Sequence, residues 1–494
     1  MSSVSSPRIW HRVLPWLVVL ALSYLPLFWL LGHMPVQSWD EARTGVNGLG
    51  ILQHQDWVVM RHVKEPDLWN CKPPLHAWTL AASFYLLGAN EWALRLPSAL
   101  AALATVLLVF RAAWWWLGSW RGGLLAALVL LTTQGYVTTH IARSGDFDAP
   151  LTLWTTLGAL SWLRYLIGGR PAYAWLTGGA FTLAVLTKGI AGAVFGPGLL
   201  LAAVLTGYGH RLRNWQPWAA GALALVAAAV WYAVREAAEP GYLDAVWQYE
   251  IGGPATAQLE GHRTSVFMYL NTLTEYKFTV WLLPALAGWL LGWWQPRGSR
   301  EWVLSRATAA IAGSFLLLIS LVQTRLLWYD APVYPLLAIQ AAAGLVWLGR
   351  TIAAHWNRPT TPTTRTLAVL AVALFPYLSQ WRYIDSLANS PVKDMNLLYG
   401  YLIHDLPRQL PNLHKYVVMT DGVFNDSPVF YAAAAQHQFG HQSRVRTPWG
   451  IWPDPGEIIV ACGAKARKPW QKRFVTQELA RTDSCVTLRL VERR

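Results

Sequence analysis

The residues of this chain that could handle protons and phosphates fall in five short polar segments. The first holds Trp39-Asp40-Glu41-Ala42-Arg43, Asp56-Trp57 and Cys71-Lys72-Pro73-Pro74. The second is Ala142-Arg143-Ser144-Gly145-Asp146-Phe147-Asp148-Ala149-Pro150, and the third is Leu186-Thr187-Lys188-Gly189. The fourth holds Glu260-Gly261-His262-Arg263, and the fifth Arg325-Leu326-Leu327-Trp328-Tyr329. Lys72, Arg143, Lys188 and Arg325 together could hold a phosphate or diphosphate, because ammonium and guanidinium groups give its oxygens charge-assisted hydrogen bonds. Asp40 could then deprotonate an attacking hydroxyl. Each residue alone also has a plainer reading. Asp40 and Glu41 suit the first turn of a helix, and Asp146 and Asp148 could simply face water. Lys188 could be an interfacial anchor, and His262 a surface histidine. What carries weight is the order of the segments and whether the fold brings them to one surface.

The elements that would position them are apolar. The chain has 494 residues, 54% hydrophobic and only 13% charged, against about 25% charged in soluble domains. Its mean hydropathy is +0.28. Too little polar surface exists to solvate a globule of this size, so lipid must cover most of it. The 31 Trp suit membrane interfaces, where a large ring with one N–H is comfortable. Apolar segments lie near 12–32, 95–117, 121–140, 149–168, 172–187, 190–206, 216–234, 278–295, 303–321, 330–348 and 366–384. Each is about long enough, at ~1.5 Å per residue, to cross a ~30 Å hydrocarbon core. The first follows Arg8 and Arg12, is longer than a signal-peptide core and has no clean cleavage site, so it reads as a retained span.

Charge sets the orientation. The net charge of +14 is not gathered on one face or tail, which argues against nucleic acid as partner. It falls in clusters between spans: Arg8 and Arg12; Arg111 and Arg121; Arg164 and Arg170; Arg211 and Arg213; Arg297, Arg300 and Arg306; Arg350, Arg358 and Arg365. Glu301 is the one acid found among them, whereas the alternate loops mix signs. Positive-inside bias puts the clusters in the cytoplasm and all five polar segments on the outer face. Parity then requires Leu75–Leu87 to be a juxtamembrane or re-entrant helix. The expected fold is a mostly α polytopic bundle of roughly 11 to 13 spans over residues 1–385. Its working loops would be 33–74, 141–150, 235–277 and 322–335. Residues 386–494 read as a small α/β domain on the outer, periplasmic side, with strands at 416–419, 458–461 and 486–490 and helices at 428–436 and 470–480. Cys462 and Cys485 fall in it, either as a disulfide of an oxidising compartment or as two buried thiols.

Taken in order, Asp40-Glu41-Ala42-Arg43, Asp56-Trp57, Lys72-Pro73-Pro74-Leu75, Arg95-Leu96-Pro97-Ser98, Ala142-Arg143 with Asp146 and Asp148, and Leu186-Thr187-Lys188-Gly189 resemble the motifs of the GT-C membrane glycosyltransferases. Within that class they are nearest to family 39 and its ArnT-like branch, the lipid A aminoarabinose transferases. The resemblance runs over roughly residues 10–350. It implies an inverting transferase of the bacterial inner membrane with its site facing the periplasm. A polyprenyl-phosphate monosaccharide would be the donor, and a lipid, glycan or protein the acceptor. It gives Asp40, with its neighbour Glu41, the place of the catalytic base. Lys72 would contact the lipid phosphate, alongside Arg143, Lys188, Arg325 and Tyr329. Asp148, with Asp146 as second candidate, would support the donor or acceptor site. In similar proteins a Glu before the Lys-Pro-Pro joins a later His to bind a divalent metal. Here Cys71 stands at that position and His262 resembles the later His, so the pair could bind zinc or the metal could be lost. The rival readings are a flippase of lipid-linked sugars and a non-catalytic scaffold. A transporter would call for mid-span charges and repeats, and few charges and no repeat are found.

Overall fold

A computed structural model describes residues 7–256, 265–355, 361–389, 397–422, 425–447, 450 and 452–494. The chain divides into two compact units. The first comprises Met1–Trp29, Cys71–Leu75 and Ser98–Ser386; the second comprises Leu30–Asn70, His76–Pro97 and Leu387–Arg494. Residues 30–70 and 76–97 thus group with the C-terminal segment in the second unit.

Six helices among the described residues are long and apolar enough to cross a membrane: Glu91–Leu117, Pro171–Ala193, Trp215–Ala238, Arg300–Leu321, Ala331–His355 and Thr363–Ala388. Apolar helices of 10–17 residues accompany them at Val13–Phe28, Leu75–Leu87, Trp120–Leu131, Gly196–Leu205 and Thr279–Trp293. In the first unit Ala331–His355 is largely buried, whereas Trp215–Ala238 exposes Leu223, Leu225, Val226 and Val230. Such an apolar surface is unstable in water and at home in lipid. Thr279–Trp293 packs against Tyr334–His355, where Gly288 meets the Gln340 carbonyl and Gly344 the Pro284 carbonyl. A side chain at either glycine would hold the two backbones apart, the usual reason for small residues between membrane helices.

Two expected spans are shorter than anticipated. The segment anticipated at 121–140 is helical only over Trp120–Leu131. Thr132 and Thr133 turn their hydroxyls onto the carbonyls of Leu128 and Val129, which competes with helix propagation. Gly135 follows, pressed against the Tyr334 hydroxyl. Residues 132–147 are therefore an irregular segment between helices. The segment anticipated at 190–206 opens as a 3-10 turn, Gly189–Ala193, before Gly196–Leu205. Gly189, at φ 56°, breaks the preceding helix so that Lys188 is its last residue.

The second unit is α/β. Its first loop forms a helix, Asp40–His54, and a short hairpin of β1 (Arg61–His62) and β2 (Glu65–Pro66). The C-terminal segment forms a five-stranded sheet of β3 (Lys415–Met419), β4 (Gln442–Arg446), β5 (Ile458–Cys462), β6 (Phe474–Thr482) and β7 (Cys485–Arg493), in the order β4-β3-β5-β7-β6. β4, β3 and β5 are parallel, while β7 is antiparallel to both β5 and β6. The helix anticipated at 470–480 is corrected: the helix Gly463–Arg473 ends where β6 begins. Pairing with β7 along its length overrides a helix-like composition. Cys462 and Cys485 are direct partners in the β5–β7 register and are joined as a disulfide. Val46, Leu49, Leu80, Phe84, Leu94 and Phe430 form one apolar core, which binds the Asp40–His54 helix to Ser427–Phe439.

Candidate active site

In the first unit the charged residues meet across two irregular segments, 132–147 and 322–330. Lys72 Nζ lies 3.1 Å from Glu250 Oε1 and 5.3 Å above the Phe147 ring. Asp148, the first residue of the helix Asp148–Gly168, takes the Lys188 ammonium at 2.6 Å. Both partners are buried. Lys188 also stands 5.2 Å over the Tyr329 ring. Next to Tyr329, Trp328 stacks on His140 with centroids 4.0 Å apart and planes 3° from parallel. His140 Nδ1 is 3.1 Å from Asp146 Oδ2, which closes the circuit back to Phe147. Lys72, Asp146, Asp148, Lys188 and Tyr329 are therefore brought together, with His140, Trp328 and Glu250 as members that motif reading did not name. The signal available for them was adjacency alone: Trp328 precedes Tyr329, and His140 lies six residues before Asp146.

The two arginines of this set are turned to backbone. Arg143 donates to the carbonyls of Pro26 and Trp29 at 2.9 and 2.6 Å, at the end of the helix Pro7–Phe28. Arg325 donates Nε–H to the Ser320 carbonyl at 2.9 Å, in the last turn of Arg300–Leu321. Both place a cation where helix carbonyls lack partners. A buried pair pins the fifth segment from below. Lys277 binds Asp330 at 2.8 Å and the Leu327 carbonyl, and the Tyr334 hydroxyl donates to Asp330 at 2.8 Å. Cys71 is buried, and its carbonyl accepts from the Tyr242 hydroxyl at 2.6 Å. His262 lies outside the described residues. Among the described residues no group of three or more His, Cys, Asp or Glu is placed to hold a metal ion. An apolar cavity of about 250 Å³, lined by Trp162, Phe181, Val185, Leu199 and Trp218 among others, contains none of the charged residues.

In the second unit the neighbours Asp40 and Glu41 have different fates. Glu41 is buried and accepts two hydrogen bonds from Arg95, Nε at 2.7 Å and Nη2 at 2.9 Å, plus the Gln37 N–H at 2.8 Å. Arg95 donates further to the carbonyls of Leu31, Met34 and Pro35. The pair thus ties down the loop that enters the helix. Asp40 is half-buried at the helix start, and among the described residues its carboxylate makes no hydrogen bond or ion pair. It alone of the two is open to a substrate.

One turn on, Arg43 grips Asp67 in bidentate fashion at 2.9 and 2.8 Å and reaches Asp426 at 3.3 Å. Asp426 also takes His62 at 3.0 Å, and its N–H donates to the Ser38 carbonyl at 2.9 Å. Burial alone would raise the Asp67 pKa. The Arg43 hydrogen bonds and charge, with those from Asn47 and the Asn70 N–H, outweigh burial and lower it. Burial likewise works against the Arg43 charge, but Asp67 and Asp426 reverse the effect and raise its pKa. Asp56 accepts the N–H groups of Val58 and Val59 and pairs with Arg61 at 3.2 Å, a turn-forming role.

With this geometry in view, comparison with known proteins is informative. The family described as dolichyl-phosphate-mannose-protein mannosyltransferase matches residues 71–233. An uncharacterized protein of Aquifex aeolicus is 29% identical over 37% of this chain and 36% of its own length. An undecaprenyl phosphate-α-4-amino-4-deoxy-L-arabinose arabinosyl transferase of Pectobacterium carotovorum is 27% identical over 72% of this chain and 66% of its own length. The chain thus spans less than two thirds of either relative. Among solved structures, ArnT from Cupriavidus metallidurans bound to undecaprenyl phosphate aligns with a TM-score of 0.71 at 18% identity, over 97% of both chains. The oligosaccharyltransferase of Archaeoglobus fulgidus aligns with a TM-score of 0.54 at 13% identity, over 89% of this chain and 65% of that one. The chain has the GT-C fold, and the group it is similar to is that of the ArnT-like membrane glycosyltransferases.

Proposed function

We propose that the protein is an inverting glycosyltransferase that moves a monosaccharide from a polyprenyl-phosphate donor to a hydroxyl or phosphate group of a lipid, glycan or protein acceptor. The observation that carries this is the circuit of the first unit, in which Lys72 and Lys188 each stand over an aromatic ring with a carboxylate beside them. Two partly desolvated ammonium groups so held are prearranged for a phosphate and need no reorganisation as charge develops on it. The carboxylates keep the circuit near neutral. Arg143 and Arg325 add positive charge while pinning the segments that carry Asp146 and Tyr329. Relatives named as undecaprenyl phosphate-α-4-amino-4-deoxy-L-arabinose arabinosyl transferases support undecaprenyl phosphate as the lipid and a pentose as the sugar to try first.

In the proposed step Asp40 accepts the proton of the acceptor hydroxyl, and the oxygen bonds to the anomeric carbon from the face opposite the phosphate. The carbon–oxygen bond to phosphate breaks, and its electron pair leaves with the phosphate, which the lysines stabilise. Unpaired among the described residues, the Asp40 carboxylate is favoured over Glu41 as base; Glu41 holds the base in place through Arg95. Asp148 sets the Lys188 ammonium, and Asp146 orients its own loop. The periplasmic side of the bacterial inner membrane is the site we infer for the reaction. The Cys462–Cys485 disulfide supports it, because such bonds persist in an oxidising compartment. Zinc at Cys71 and His262 is a separate reading that no step above requires; metal content of the purified protein, with Cys71→Ser alongside, tests it.

The deciding experiment is transfer from radiolabelled undecaprenyl-phosphate sugars to a membrane-lipid extract by purified protein in nanodiscs, with Asp40→Asn and Lys72→Ala in parallel. Transfer by the wild type that both variants lose supports the reading. A wild type that consumes no donor, while undecaprenyl phosphate still binds, overturns it.

A further inference from the structure

In the second unit two histidines face each other at the edge of the sheet. His414 immediately precedes β3 and His441 immediately precedes β4, the edge strand. The strands are parallel, with Lys415 opposite Gln442, and the Gln442 N–H donates to the His414 carbonyl at 2.8 Å. Carried one residue back, this register sets the two histidines side by side. Nδ1 of His414 lies 3.2 Å from Nε2 of His441, with ring centroids 5.1 Å apart and planes at 64°. Phe439 and Tyr416 flank the His441 ring, with centroids at 5.7 and 6.4 Å. His414 is exposed and His441 half-buried. The other nitrogen of His441, Nδ1, is buried and has no hydrogen-bond partner among the described residues. The polar engagement of that ring is therefore the edge it turns to His414.

Two neutral imidazoles that meet nitrogen to nitrogen can make one N–H···N hydrogen bond. A metal ion between the same two atoms takes a lone pair from each. Zinc–nitrogen bonds of about 2.0 to 2.1 Å at a tetrahedral angle set two ligand nitrogens about 3.3 Å apart. The same bonds at the right angle of a tetragonal site bring them to about 2.9 Å. The observed 3.2 Å falls within that range. We infer that His414 Nδ1 and His441 Nε2 chelate a divalent transition-metal ion. Imidazole suits Zn²⁺, Cu²⁺ and Ni²⁺, whereas Mg²⁺ and Ca²⁺ require oxygen ligands. Among the described residues no third His, Cys, Asp or Glu joins the pair, so water completes the shell and the ion is exchangeable. Its effect follows from its place. It fastens the edge strand β4 to β3, together with the turn at Gly440, φ 66°, that leads into β4 from the helix Ser427–Phe439. That helix carries Phe430, which shares a core with the Asp40–His54 helix, so metal bound to the folded chain stabilises the second unit. The site is separate from the transfer step and from the Cys71–His262 reading.

The test is titration of the untagged full chain in nanodiscs with Cu²⁺, followed by electron paramagnetic resonance. The parent protein carries Cys71→Ser, which removes the other candidate ligand, and His414→Asn and His441→Asn are made in it. His414 is exposed, so its replacement takes nothing from a core and decides alone if His441→Asn does not fold. The parent should take up one equivalent of Cu²⁺ with couplings to two nitrogens. Excess Zn²⁺ should displace it, and excess Mg²⁺ should not. Both variants should lose the two-nitrogen signal. Zn²⁺ should also raise the unfolding temperature of the parent and of neither variant. Equal Cu²⁺ uptake with unchanged nitrogen couplings in His414→Asn overturns the inference. So does a parent protein that takes up no Cu²⁺ beyond empty nanodiscs, in which case the two rings share an N–H···N hydrogen bond only. Neither substitution touches Asp40, Lys72 or Lys188, so failure here leaves the transfer reading as it stands.

Discussion

Two adjacent acids can look interchangeable in a sequence and still be committed to different tasks. Glu41 gives both oxygens to Arg95, while Asp40 gives neither to any described residue. Asp40→Asn should therefore lower the transfer rate by about 10² to 10⁴, the usual contribution of a positioned base, and leave thermal unfolding unchanged. Glu41→Gln should act chiefly on stability, with a smaller loss of rate through the helix entry it holds. Removing one partner of a buried pair strands the other charge, and about 3 to 5 kcal/mol of stability goes with it. Thermal unfolding of the purified variants, followed by Trp fluorescence, separates the two; a Glu41→Gln protein as stable as wild type but without activity would reverse the assignment. Lys188 and Asp148 make a second contrast. Lys188→Ala should weaken undecaprenyl phosphate binding, whereas Asp148→Asn should bind the lipid but turn over slowly, because the ammonium is present but no longer aimed.

Among the elements, the helix Asp40–His54 is the most heavily fastened. Its entry is held by Arg95 and its second turn by Arg43, Asp67, His62 and Asp426. Asp67 has a lowered folded pKa against an ordinary value of 3.8. Its contribution is therefore fully present above that unfolded value and is lost as pH falls through the lower folded one. Unfolding temperature should drop steeply below about pH 4, and Asp67→Asn should be less stable at neutral pH while losing that acid limb. An acid limb that persists in Asp67→Asn would place its origin elsewhere. In the first unit the comparable device is Lys277–Asp330, which holds the segment bearing Trp328 and Tyr329. Asp330→Asn leaves a buried ammonium without its counter-charge, so it should raise the donor KM more than it lowers kcat, by loosening the platform under Lys188.

On the scale of the whole molecule, the first unit holds the circuit of Lys72 and Lys188, and the second, which includes the C-terminal segment, holds the Asp40–His54 helix. The C-terminal segment is consequently no dispensable appendage: its Phe430 lies in the core of the Asp40–His54 helix, and its Asp426 binds Arg43. Its disulfide closes a short loop, so removing it should cost about 2 to 4 kcal/mol. A membrane-impermeant maleimide should label Cys462 and Cys485 in spheroplasts only after reduction. Labelling without reductant, or only after lysis, would contradict the periplasmic placement.

By itself the sequence determined the class of molecule and the order of its parts. The apolar runs, the arginine clusters and the scarcity of charge follow from the one-dimensional requirement that apolar runs match a bilayer, although packing shortened the helices anticipated at 121–140 and 190–206. The motifs with Asp40, Lys72, Asp148 and Lys188 were legible because their residue types are adjacent in the chain. Tertiary structure alone decided which charges are open and which are consumed. Glu41 meets Arg95 across 54 residues and Asp148 meets Lys188 across 40, and Arg143 and Arg325 turn to helix ends rather than outward. It also decided that His140 and Trp328 stack, although 188 positions separate them in the chain. Local propensity is blind to such pairings, because their energy comes from burial and from partners that only the folded chain brings within reach.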